Sequence, residues 1–141
     1  MNLFKIFKED AHICIHIFGI KMRFQNPLIN RLTDCCCIYN LEYFVKQNTE
    51  FVHPLGIVIA KGVKIGKDCK IFQNVTIGAN IKGGVPQIGN NVIIFANSII
   101  IGDISIGDNV IIGGGSVVIQ SIPDNVIVAG NPAKIIKQKE G

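Results

Sequence analysis

The sequence predicts an all-β repeat fold, a parallel β-helix with a short helical segment at its N-terminal end. Aliphatic residues recur every six positions through the second half of the chain, glycine often follows them, and 48% of the 141 residues are hydrophobic. A period of six matches neither the two of a strand nor the 3.6 of a helix. It matches short strands joined by regular turns, in which three strands complete one coil of a triangular prism.

Residues 1–50 are predicted to form a helical and amphipathic segment. The start, MNLFKIFK, mixes apolar residues with lysines, which suits peripheral contact with a membrane or packing on the protein itself. Asn26 and Pro27 are typical of a helix N-cap and first turn, so we expect a helix through LINRLTDCCCIYNLEYF.

The repeat region is predicted at residues 51–122. Its aliphatic positions stand six apart except for one jump of eleven: Ile59, Ile65, Ile71 and Ile77, then Ile88, Ile94, Ile100, Ile106, Ile112 and Val118. These side chains should point inward and stack on those of the next coil. The jump predicts a loop at 81–87, and insertions in repeats often form the binding face. Residues 123–141, rich in proline and glycine signals, are interpreted as a C-terminal extension with a basic tail.

Composition and charge argue against several classes of protein. The chain has no run of 18 apolar residues and its N-terminal HICIHIFGI lacks a signal-peptide cleavage site, so we expect a cytoplasmic protein. A net charge of +4 on scattered lysines does not predict nucleic-acid binding. Five cysteines without CxxC spacing predict buried, reduced thiols, and one histidine in the repeat region is too few for a three-histidine metal centre. The stretch GGGSVV lacks the lysine of a phosphate-binding loop.

Three stretches resemble the hexapeptide-repeat acyltransferases, and within them the serine acetyltransferases and the short O-acetyltransferases of capsule and exopolysaccharide synthesis. They are HPLGIVIAKGVKIG, KIFQNVTIG and GGGSVVIQSIPDNVIVAGNPAKII, and the likeness covers residues 51–137. The resemblance implies a left-handed β-helix and a homotrimer. It also implies that acetyl-CoA binds, without a metal, in a groove between neighbouring prisms. Contact with the inner face of a membrane is an open alternative for the N-terminal segment.

The resemblance also implies a set of site residues. His53 matches the catalytic base of the family, which accepts the proton of an attacking hydroxyl. On spacing alone, His53 stands six positions before Ile59, so a structural histidine in the core is the alternative. The residues matching the CoA groove and the basic ending beside a CoA phosphate are Gly78, Ala79, Ala96, Gly114, Gly130, Pro132 and Lys134.

The sequence does not decide which groups stabilise the oxyanion beside His53 or which carboxylate orients its ring. The oxyanion of the transition state needs donors, for which backbone N–H groups at Gly78 or at Gly83 and Gly84 are candidates. In the serine acetyltransferases an aspartate orients the histidine, and the candidates here are Glu50, Glu42 and Asp34.

The loop predicts the substrate. Serine acetyltransferases carry an arginine and a histidine there for the carboxylate of serine, whereas this chain has Val85 and Pro86. A valine cannot replace a bidentate guanidinium. We therefore expect Lys82, Gly83, Gly84 and Val85 to border a saccharide, carried as a nucleotide sugar, a lipid-linked glycan or a polymer. Serine O-acetylation, amino-sugar N-acetylation and a non-catalytic scaffold are the alternatives.

Overall fold

The computed structural model describes residues 5–9, 12–17, 20–24 and 37–140, in two compact units divided between Cys35 and Cys36. In the first unit, three strands form an antiparallel sheet: β1 (Lys5–Glu9), β2 (His12–Ile17) and β3 (Ile20–Phe24). The stretch HICIHI places isoleucine at every second position, and this alternation of a β-branched residue favours a strand. These segments are therefore strands rather than the predicted helical structure.

The second unit begins with β4 (Cys37–Ile38) and a short helix, α1 (Leu41–Lys46). Strand β4 pairs in parallel with β6 (Val58–Ile59), and the turn after it holds Asn40 at a φ of 61°. The predicted helix is therefore wrong over residues 37–40, because pairing with the prism outweighs a weak local helix preference. Its preceding part, residues 25–36, lies outside the described residues.

The remaining strands build the predicted prism. Their bounds are β5 (Glu50–Phe51), β7 (Lys64–Ile65), β8 (Lys70–Ile71), β9 (Thr76–Gly78), β10 (Gln87–Ile88), β11 (Ile93–Ile94), β12 (Ile99–Ile101), β13 (Ser105–Ile106), β14 (Ile111–Ile112), β15 (Val117–Val118), β16 (Val126–Gly130) and β17 (Ala133–Gln138). They form a first sheet β15-β12-β9-β6-β4, a second sheet β13-β10-β7 and a third sheet β17-β16-β14-β11-β8-β5. Every pairing in these sheets is parallel except that of β16 with β17.

The register confirms the repeat. Ile59 pairs with Ile77 and Ile100 pairs with Val118, eighteen residues on in each case, whereas Ile77 pairs with Ile100 across the inserted loop. All ten aliphatic repeat positions are buried, none more than 5% exposed. Stacking of these side chains from coil to coil forms the core, and the loop leaves the coil without disturbing the pairing on either side of it.

Turns between the strands are tightly packed. A Cβ on Gly89 would lie 2.3 Å from Asp108 Oδ1, and that carboxylate oxygen accepts a hydrogen bond of 2.6 Å from the Asn90 N–H. A Cβ on Gly66 would likewise overlap the side chain of Asn90, and a Cβ on Gly107 would overlap the side chain of Asp124. Glycine is needed at these turns because an Asn or Asp side chain from the next coil fills the space of a side chain.

The C-terminal extension continues the third sheet. Strand β16 pairs with β14, placing Val128 beside Ile112 in the core, and β17 folds back on β16 in the antiparallel direction. Residues 126–130 therefore belong to the prism, one strand further than predicted. Among the described residues, no helix has the length and apolar character of a membrane span.

Candidate active site

His53 lies on an enlarged corner of the prism. Phe51, not His53, pairs with Ile71 of the next coil, and eight positions separate Phe51 from Ile59 where a regular repeat needs six. The chain turns sharply there, since the Leu55 N–H donates to the His53 carbonyl oxygen at 2.7 Å. The His53 side chain is exposed. The alternative of a structural histidine in the core is therefore wrong.

Two aromatic rings continue upward from His53. The rings of His53 and Phe72 meet edge-on, with centroids 6.3 Å apart and an interplanar angle of 69°. Phe72 stacks on Phe95 of the following coil at 4.9 Å and 28°. Phe95 is 39% exposed, so part of its ring faces solvent. An apolar, uncharged wall thus stands beside the imidazole.

One edge of the prism joins His53 to several of the predicted CoA residues. The third sheet pairs Phe51 with Ile71, Ile71 with Ile94, Ile94 with Ile112 and Ile112 with Val128. Two residues beyond each of these, the chain reaches equivalent positions on successive coils, which we call the His53 edge: His53, Gln73, Ala96, Gly114 and Gly130. Ala96 and Gly114 are close neighbours, because a Cβ on Gly114 would lie 3.3 Å from the Ala96 carbonyl oxygen.

The other predicted CoA residues divide between two places. Pro132 and Lys134 follow Gly130 in the β16–β17 hairpin, and both are exposed at the upper end of the His53 edge. Gly78 and Ala79 instead leave β9 of the first sheet, on a different edge. Within one chain, one edge therefore carries five of the predicted CoA residues: Ala96, Gly114, Gly130, Pro132 and Lys134. The other two, Gly78 and Ala79, lie on a different edge.

The inserted loop is held by Asn80. The Asn80 side-chain Oδ1 accepts hydrogen bonds from the N–H groups of Lys82 and Gly84, at 3.0 and 2.9 Å. The Gly83 N–H donates to the Asn80 carbonyl oxygen, and the Asn80 N–H donates to the Gly84 carbonyl oxygen. The N–H groups of Gly83 and Gly84 are thus already bonded within the loop, which argues against their predicted role as oxyanion donors.

Val85 anchors the loop instead of lining a pocket at its tip. Its side chain is partly buried against the core, facing Gly62, and Pro86 after it is buried. Ile81, Lys82 and Gly83 form the exposed tip. Of the four residues predicted to border the substrate, Lys82 and Gly83 are therefore the most accessible.

No carboxylate in the described part of the chain hydrogen bonds to the His53 side chain. Glu42 pairs with Lys46 at 2.9 Å, and the hydrogen bond and charge of that lysine lower the pKa of the Glu42 carboxyl. Glu50 pairs with Lys70 at 2.9 Å. The third candidate, Asp34, lies outside the described residues. Both described candidates thus have other partners.

Cys69 is a packing residue. Its thiol is buried, contacts the Gly89 carbonyl oxygen at 3.2 Å, and has a pKa raised by burial. A thiol of that kind is a poor nucleophile. Residues 37–140 contain no group of three or more His, Cys, Asp or Glu side chains able to hold a metal ion, and none was found in the described strands before them.

Comparison with known proteins identifies the family. The sequence profile described as "Bacterial transferase hexapeptide (six repeats)" matches residues 86–120. The putative colanic acid biosynthesis acetyltransferase WcaB of Escherichia coli K12 is 43% identical over 108 residues, which cover 74% of this chain and 67% of that protein. The chain belongs to the hexapeptide-repeat acetyltransferases. A serine acetyltransferase of Staphylococcus epidermidis is 44% identical over 90 residues, 62% of this chain and 42% of the relative.

Solved structures of serine acetyltransferases are similar to this chain in fold. The crystal structure of serine acetyltransferase from Vibrio cholerae superposes with a TM-score of 0.63 and 36% identity, over 66% of this chain and 37% of that one. The crystal structure of a Brucella abortus serine acetyltransferase in complex with coenzyme A superposes with a TM-score of 0.63 and 35% identity. The match covers 65% of this chain and 38% of that one. The predicted family, left-handed β-helix and acetyl-CoA-dependent transfer are confirmed for this hexapeptide-repeat acetyltransferase.

Proposed function

We propose that this protein moves the acetyl group of acetyl-CoA to a hydroxyl of a saccharide, with His53 as the general base. The observation that carries the proposal is the exposed imidazole at the foot of an edge whose higher positions, Ala96, Gly114 and Gly130, are small. A groove over small residues suits the thin pantetheine arm, and it ends at a group able to take a proton.

The chemistry is a direct transfer. The acceptor hydroxyl gives its proton to His53 while its oxygen attacks the thioester carbonyl, and the tetrahedral intermediate then expels the CoA thiolate, which receives that proton from His53. No acyl-enzyme is required, and the buried thiol of Cys69 is not available for one. The aromatic ring of Phe72 limits the freedom of the imidazole on one side.

A homotrimer completes the groove in this proposal. Gly78 and Ala79 lie on a different edge from Ala96 and Gly114 within one chain. Two such edges, one from each of two neighbouring prisms, can form the opposite walls of one CoA groove. Lys134, at the upper end of the His53 edge, is then the cation nearest to the CoA phosphates.

The surroundings of His53 favour a saccharide acceptor. The wall beside it is made of Phe72 and Phe95, and the face of an aromatic ring, with its negative quadrupole, suits the C–H face of a sugar. On the other edge, after Gly78 and Ala79, Val85 and Pro86 pack inward, so these two positions in the wall that a neighbouring prism would contribute offer no charge to a carboxylate. Support from a relative comes from WcaB, whose name assigns it to colanic acid biosynthesis.

Serine O-acetylation is the second candidate, favoured by the identity of 44% to a serine acetyltransferase. The deciding experiment measures release of CoA thiol from acetyl-CoA by the purified protein, with L-serine, neutral sugars, nucleotide sugars, oligosaccharides and amino sugars as acceptors in parallel. A His53→Asn variant provides the background rate. Transfer to a saccharide hydroxyl supports the proposal. Transfer to serine or to an amine alone would replace it, and CoA binding without any transfer would indicate a scaffold.

A further inference from the structure

Gln73 occupies the position on the His53 edge directly above His53. The pairing of Phe51 with Ile71 puts the two residues in register on neighbouring coils, which stack about 4.8 Å apart. The backbone of Gln73 is fixed, since its carbonyl oxygen accepts a hydrogen bond of 3.1 Å from the Asn97 N–H. Its side chain therefore begins between the proposed base and Ala96, the first small residue of the groove.

The carboxamide of Gln73 has no hydrogen-bond partner among the described residues. In the described part of the chain, only Thr49 Oγ1 and Gln73 Oε1 are buried side-chain oxygens without a hydrogen bond. The Nε2 atom also makes no hydrogen bond to a described residue and is not among the fully buried atoms, so its N–H groups have no described acceptor. An unpaired buried oxygen opposes folding, so the amide calls for a role other than stability.

We infer that the Gln73 carboxamide donates a hydrogen bond to the carbonyl oxygen of the acetyl thioester, as a catalytic residue of the transfer. The inference rests on the proposed function. The loop N–H groups of Gly83 and Gly84 are occupied by Asn80, which leaves the reaction without those donors. Gln73 supplies an uncharged donor one coil away from the base.

The step balances without any further reactant. As the acceptor oxygen bonds to the acetyl carbon, its proton passes to His53 and the carbonyl electron pair moves onto oxygen. Collapse of the intermediate breaks the C–S bond, and the departing CoA thiolate takes up that proton from His53. Gln73 transfers no proton, and its hydrogen bond strengthens as charge develops on the carbonyl oxygen.

The test compares Gln73→Met, which keeps the length of the side chain without its donor, with Gln73→Glu, whose ionised carboxylate cannot donate. The matched control is Gln120→Met, an exposed glutamine after β15. We expect kcat to fall by about 100-fold or more in both Gln73 variants, with little change in either KM. The melting temperature of Gln73→Met should equal or exceed that of the wild type, because an unpaired buried oxygen is removed.

Each other outcome overturns the inference. An unchanged kcat removes the catalytic role, a raised acceptor KM alone makes Gln73 an acceptor contact, and a lower melting temperature with loss of the oligomer makes it structural. A wild type that transfers acetyl to no acceptor overturns the proposed function and this inference together. An active wild type with an equally active Gln73→Met variant overturns this inference alone.

Discussion

The ring of Phe95 stacks on that of Phe72 with the centroids 4.9 Å apart, and Phe72 meets His53 edge-on. Three aromatic side chains from three successive coils thus form one continuous column. The lowest ring carries the proposed chemistry, and the highest keeps 39% of its surface accessible. Such a column can hold a flat, uncharged acceptor at a fixed height relative to the imidazole.

Replacing Phe95 by alanine should weaken acceptor binding. Loss of a stacking face costs about 0.5–1.5 kcal/mol, so the acceptor KM should rise by roughly 2- to 10-fold while kcat at saturation changes little. Steady-state kinetics with each substrate varied in turn would measure this. Ile119→Ala, at an exposed aliphatic residue off the His53 edge, is the control. A rise in the acetyl-CoA KM alone would show that Phe95 lines the CoA groove instead.

The His53→Asn variant should lose turnover and keep its fold. General-base catalysis contributes about 10²- to 10⁴-fold, and the exposed ring makes no core contact that its loss would disturb. CoA-thiol release gives kcat, while circular dichroism and the elution volume report structure and oligomeric state. Wild-type turnover by a folded variant would remove His53 from the mechanism.

Ala96→Trp should block the groove. Ala96 is partly exposed and lies beside Gly114 on the His53 edge, so we expect an indole at position 96 to fill the space over that edge. Calorimetry should show a weaker Kd for CoA, by roughly 10-fold or more if one good contact region is lost. Ser105→Trp, on the second sheet, should bind CoA normally. Equal affinities in both variants would move the groove to another edge.

Two glycines should differ sharply in their tolerance of alanine. At Gly89 the new Cβ would overlap Asp108 Oδ1 and the Gly107 backbone, and overpacking of this kind costs about 1–3 kcal/mol. At Gly78 the nearest atom is 3.5 Å away, an ordinary contact, so the unfolding free energy should change by less than about 0.5 kcal/mol. Denaturant titration at one fixed protein concentration would compare them. Equal losses would contradict the proposed packing of the turns.

The prism could be predicted from sequence because its signal repeats. Ile59 to Val118 share one environment, so each coil supports the assignment of the next, and the single jump at Ile77–Ile88 located the loop. Regions without a repeat were harder. The helix predicted through residues 37–40 rested on local preference alone, and pairing of Ile38 with Ile59 is a contact between distant residues that no local pattern contains.

The site was only partly predictable for the same reason. Spacing alone left a core position open as the alternative for His53, because two extra residues between Phe51 and Ile59 cannot be recognised where no earlier regular coil sets the register. The occupied N–H groups of Gly83 and Gly84 had a usable signal, since an asparagine just before a glycine-containing loop favours a side-chain turn. Gln73 had none, because its unpaired oxygen depends on packing between coils.

The hydrogen bonds that Asn80 makes to Lys82, Gly83 and Gly84 all close within the loop. The coils on either side keep their own ladders, joining Thr76 to Ile99 and Ile88 to Ile106. Val85 and Pro86 hold the loop to the core, whereas its exposed tip, residues 81–83, can be exchanged without disturbing those ladders. In the proposed function, a change of acceptor would then need substitutions at this tip, with the strands of the prism unchanged.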